Sequence, residues 1–136
     1  MNRRQAREYT LQVLFERDFT GALSPEAYSQ RSLDSESEKT DDSVFAEELI
    51  KGTLNHLEEI DRVIQESAEH WTIERMPVVD RNILRFSIYE ILYRKDIPSA
   101  VTINEALEIA KKYSSSESVA FINGLLDKVS RRDGAV

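Results

Sequence analysis

The stretch Val78-Val79-Asp80-Arg81-Asn82-Ile83-Leu84-Arg85-Phe86-Ser87-Ile88-Tyr89-Glu90-Ile91-Leu92-Tyr93-Arg94 decides the fold. Its apolar residues recur on nearly every face of a 3.6-residue turn, so a helix from about Val78 to Arg94 cannot lie on a surface and must be central. Pro77 is placed to open this helix, after a break in periodicity from Trp71 to Pro77. Ile97-Pro98 stops it, because the residue before a proline is pushed towards extended geometry.

Outward from this helix the pattern stays helical. Thr102-Ile103-Asn104-Glu105 reads as a capping box, followed by Ile103, Ala106, Leu107, Ala110 and Tyr113 at helical spacing. Ser114 to Glu117 repeats the start signal, and Val119, Ile122, Leu126 and Val129 form a last helix ending in Arg131 and Arg132, cations suited to a helix C-terminus. Gly124 interrupts that run, and close helix packing is the reading we give it. Upstream, Phe45, Leu49, Thr53 and Leu54 define a pattern from about Asp42 to His56, and Leu57, Ile60, Ile64 and Ala68 a second. One helix or two would satisfy them. A first helix from about Arg4 to Phe19 carries Ala6, Thr10, Val13 and Leu14 on one stripe, and Ser24-Pro25-Glu26 starts a short second helix. The acidic, serine-rich stretch Ser29 to Ser43 reads as a solvated connection.

The class is therefore all-α, with about seven helices. The four Gly and three Pro among 136 residues agree with it. We expect one compact unit, with an N-terminal sub-bundle over 1–57 and a C-terminal bundle over 58–136. Cysteine is absent, and His56 and His70 lack ligand partners at helical spacing, so neither a metal nor another cofactor is expected. No apolar run approaches the roughly 18 residues that span a bilayer, and the N-terminus is a basic helix pattern without a hydrophobic signal region. A cytoplasmic protein is the expectation. The sequence has no Gly-rich phosphate loop, nucleophile elbow or paired catalytic acids, and Glu105 and Glu108 occupy cap or exposed positions, so no enzyme is expected.

Net charge is −7, which opposes non-specific nucleic-acid binding, but it is unevenly spread. Residues 1–17 carry four Arg against Glu8 and Glu16, a local excess of +2. Arg3, Arg4 and Arg7 crowd the start of the first helix, where the dipole favours acids by about 0.3–1 kcal/mol each. They fall within an arc of about 100°, with Phe15 almost in line with Arg4. Arginines beside an aromatic suit a single-stranded nucleic acid, binding phosphates and stacking a base. A solvated tail with Phe15 in the core is the alternative.

The motifs Arg3-Arg4-Gln5-Ala6-Arg7-Glu8 with Leu11-Gln12-Val13-Leu14-Phe15, Val79-Asp80-Arg81-Asn82-Ile83-Leu84-Arg85, Val101 to Lys111, and Phe121-Ile122-Asn123-Gly124-Leu125-Leu126-Asp127 together resemble the NusB family in order and spacing. Only the acidic stretch falls outside the resemblance. It implies two small helical bundles packed together. It also implies binding of single-stranded boxA RNA jointly with NusE, the ribosomal protein S10, and indirect contact with other Nus factors and RNA polymerase on ribosomal RNA operons. By position, Arg3, Arg4, Arg7, Gln12, Phe15, Tyr113 and Phe121 correspond to RNA-binding residues, and Asp80 and Glu117 to residues facing the ribosomal protein. Three positions depart from the family pattern. Phe15 stands where Tyr is common, Glu117 where Asp is common, and Ala120 where a basic residue is frequent. Tyr113 and Phe121 are also at core spacing, and Asp80 could act only on the helix dipole. Two other functions stay open, a protein-interaction adaptor working through its acidic face and the RNA-recognition subunit of an rRNA-modifying enzyme.

Overall fold

A computed structural model describes residues 2–20 and 40–133. They form six α-helices, α1 (Arg3–Thr20), α2 (Asp41–Asn55), α3 (Leu57–Ser67), α4 (Val78–Tyr93), α5 (Ser99–Tyr113) and α6 (Ser116–Arg132), with a short 3₁₀ turn at Ile73–Arg75 and no strand among the described residues. The short helix expected after Ser24 lies outside the described residues, as does the acidic stretch up to residue 39. The rest of that stretch starts α2, where Thr40 and Ser43 form a reciprocal capping box and Asp41 and Asp42 occupy the favourable first turn.

Helix α4 is central, as its circumference requires. It packs against each of the other five helices, and Ile83, Leu84, Phe86 and Ile88 are fully buried. Around it, Leu14 of α1, Phe45 and Leu49 of α2, Ile60 and Ile64 of α3, Ile109 of α5 and Ile122 and Leu126 of α6 join one continuous core. The stripe expected on α1 is buried as read, with Ala6, Thr10, Val13 and Leu14 all inside.

The two patterns upstream of residue 68 are separate helices. His56 ends α2 and begins α3 with φ −115° and ψ 19°, and its ring stacks on Tyr93 at 4.1 Å. The expected capping box at Thr102 does not form. Pro98, with φ −59°, opens α5 earlier, and its carbonyl accepts from the amides of Val101 and Thr102. Thr102 is thus inside the helix and buried, where its hydroxyl donates to Glu90 at 2.9 Å.

The two glycines on helices have opposite surroundings. A Cβ on Gly124 would meet nothing within 4 Å, which corrects the close-packing reading. A Cβ on Gly52 would sit 2.1 Å from Cζ of Tyr89, whose ring lies in the stack with Tyr93 and His56. We expect Gly124→Ala to raise stability by about 1 kcal/mol through helix propensity. Gly52→Ala should lower it by about 1–3 kcal/mol through overpacking. Urea midpoints of the two variants, moving in opposite directions, check both.

Candidate nucleic-acid interface

The conflict between the three arginines and the α1 dipole is met in two ways. Asn2 and Gln5 cap the helix start reciprocally, each side chain accepting from the other's amide at 2.8 Å. Each arginine also has a carboxylate. Arg4 makes a two-pronged contact with Glu105 at 2.9 and 2.8 Å. The hydrogen bond from Arg4 holds the Glu105 carboxyl below its usual range against the opposing effect of burial, and Glu105 in turn raises Arg4. Arg3 lies 3.8 Å from Asp42, with its guanidinium carbon 3.8 Å from the centre of the Phe45 ring. Arg3 and Arg4 remain about half exposed.

Arg7 is placed differently. Its guanidinium is buried and makes a second two-pronged contact, to Glu90 of α4 at 2.8 Å on both arms. Its donors are therefore directed into the protein, and it joins the other two arginines only at the inner wall of a groove formed with Pro98, Val101 and Glu105.

Gln12, Phe15 and Tyr113 converge although they lie on α1 and the end of α5. With Gln5, Glu8 and Val79 they line a groove of about 470 Å³. Gln12 is exposed, Phe15 half-buried, and Tyr113 47% exposed, so neither aromatic is closed into the core. Phe19, one turn beyond Phe15, continues the row with ring centres 4.9 Å apart and is 66% exposed. The sequence reading passed over Phe19, although the i, i+4 spacing from Phe15 was a usable signal.

Phe121 does not line that groove. It lines a second groove, of about 360 Å³, with Asp80, Glu117, Trp71 and Pro77. Asp80 is buried there, accepting from the hydroxyls of Ser114 at 2.6 Å and Ser118 at 2.5 Å, whereas Glu117 is exposed. Asp80 thus ties the α4 start to the junction of α5 and α6. Trp71, 52% exposed on this groove, registered in the sequence only as a break in periodicity.

Among the described residues no group of His, Asp and Glu could hold a metal ion, and no helix is long and apolar enough to cross a membrane. This fold and these grooves define a helical binding protein with an arginine-bearing helix end beside aromatic clefts. The NusB family model matches residues 4–131. The chain belongs to the NusB family, and it is an antitermination factor of that kind, not an enzyme. The transcription antitermination protein NusB of Thermodesulfovibrio yellowstonii is 49% identical, over 98% of this chain and 94% of the relative. That of Desulfitobacterium hafniense is 52% identical, over 95% and 88%. Among solved structures, NusB of T. maritima matches with a TM-score of 0.83 at 36% identity, covering 96% of this chain and 92% of that one. The antitermination factors NusB and NusE solved in complex with double-stranded RNA include a chain with a TM-score of 0.81 at 25% identity, covering 96% of both.

Proposed function

We propose that this protein binds single-stranded boxA RNA of nascent ribosomal RNA together with NusE, and that the pair joins other Nus factors on RNA polymerase in the cytoplasm. The observation that carries the RNA surface is the convergence of Gln12, Phe15 and Tyr113 in one groove along the helix that bears Arg3 and Arg4. In this reading Arg3 and Arg4 contact phosphates, Phe15 and Tyr113 stack bases, and Gln12 reads a base edge. Arg7 positions α1 from inside. The second groove, with Glu117 at its edge and Phe121 and Trp71 in its wall, faces the ribosomal protein, and Asp80 holds Glu117's helix in place. The solved relative holds double-stranded RNA. Partly exposed aromatic rings favour unpaired bases, since a duplex keeps its bases stacked on each other.

Electrophoretic shifts with single-stranded boxA RNA, with and without NusE, test the reading. Arg4→Ala should flatten the plot of log affinity against log salt by about 0.7, the value for a phosphate contact on a single strand. Phe15→Ala should cost about 1–3 kcal/mol of binding with little change in that slope. Wild-type affinity and slope in both variants would sink the RNA reading and favour an adaptor acting through the second groove alone.

A further inference from the structure

The groove of Gln12, Phe15 and Tyr113 has a wall of the wrong sign for a polyanion. Glu8 lines it, and a carboxylate there repels a phosphate. The cation that answers Glu8 comes from the other side of the groove. Lys112, near the end of α5, places Nζ 2.9 Å from Oε2 of Glu8 and 5.2 Å from the centre of the Tyr113 ring. Its side chain is 61% exposed, against 17% for Glu8. A lysine in the last turn of a helix ordinarily serves the dipole of its own helix, but this one leans across to α1 and over an aromatic face. A base stacked on Tyr113 would bring its own phosphate beside that ammonium.

We propose that Lys112 is a further RNA contact, binding the phosphate of the nucleotide stacked on Tyr113, and that Glu8 is the internal anion which this phosphate displaces. The inference rests on the RNA-binding reading above and adds to it a residue and a competing carboxylate. The Glu8 contact also shifts Lys112 towards the charged form, which suits either anion. An ion pair whose lysine is largely in solvent contributes little to stability. Its geometry is therefore free to be exchanged for an RNA contact.

Salt titrations of the full chain with single-stranded boxA RNA decide the matter. Lys112→Ala should weaken binding and flatten the log–log salt slope by about 0.7, and Lys112→Arg should restore the slope. Glu8→Gln should tighten binding severalfold at low salt, because the competitor is gone. Lys128→Ala is the control, since that lysine is paired with Glu69 on the seam of α3 and α6. A Lys112→Ala slope equal to that of wild type or of Lys128→Ala overturns the proposal, as does unchanged or weaker binding by Glu8→Gln. If Arg4→Ala and Phe15→Ala lose affinity while Lys112→Ala does not, the Lys112 contact alone fails. If all of these variants bind as wild type, the RNA reading fails with it.

Discussion

Glu90→Ala is expected to lower the unfolding free energy by about 3–5 kcal/mol, the range for stranding one partner of a buried ion pair. Both oxygens of Glu90 accept from Arg7 at 2.8 Å, and one of them also accepts from Thr102 at 2.9 Å. The side chains of Arg7 and Glu90 are 4% and 0% exposed, so neither charge has water to fall back on. Without Glu90, the nearest carboxylate to Arg7 is Glu105 at 3.9 Å, itself engaged by Arg4. A guanidinium cannot escape by losing its proton. Arg7→Ala should cost less, since the Glu90 carboxylate left behind keeps its hydrogen bond from Thr102, and the double replacement Arg7→Met with Glu90→Leu should cost less than Glu90→Ala alone. Urea unfolding of the three variants measures the ranking, and a Glu90→Ala protein within 1 kcal/mol of wild type would refute it. The functional corollary separates Arg7 from Arg4. If Arg7 positions α1 from inside, Arg7→Ala leaves the salt slope of RNA binding unchanged, whereas Arg4→Ala flattens it by about 0.7.

The same pair shows how far the sequence could be read. An apolar run over Val78 to Arg94 implied a central helix, and α4 touches all five of its neighbours. The polar residues inside that run are buried too: Asn82, Arg85 and Glu90 are each at most 6% exposed. Periodicity treats such residues as the solvent side. Glu90 and Arg7 are 83 positions apart, and no local pattern links them. The crowding of Arg3, Arg4 and Arg7 was legible as a conflict with the dipole, but its resolution by Asp42, Glu90 and Glu105 needed three other helices in place. Thr102 misled for a related reason. Its motif matched a cap, but Pro98 had already opened the helix. The convergence of Gln12 and Phe15 with Tyr113 was available only through the family resemblance, because it depends on how α5 crosses α1.

Asp18→Ala is expected to cost about 3 kcal/mol at neutral pH, the low end for a broken buried pair. Asp18, 8% exposed near the end of α1, collects donors from three residues of α4: Arg81 at 3.0 Å, Asn82 at 2.8 Å and Arg85 at 3.2 Å. The cost stays low in the range because Arg85 keeps both of its contacts to Asp61, at 2.9 and 3.0 Å. Burial alone would raise the Asp18 carboxyl. The hydrogen bonds from Asn82 and Arg81 and the charge of Arg85 together outweigh it and hold the group below its ordinary value. A carboxyl depressed in the folded state contributes stability in full above its unfolded value of about 3.9 and loses it as pH falls through the folded value. The gap between wild type and Asp18→Ala should therefore narrow below about pH 4, and urea unfolding at neutral and acid pH reads it. A gap that stays constant across that range would show that the charge of Asp18 is not what stabilises this corner. Asp18 lies one turn past Phe15, and its contacts pin that end of α1 to α4. If Phe15 stacks a base as proposed, the variant should also weaken RNA binding with no change of salt slope, because it loosens that ring without removing a cation.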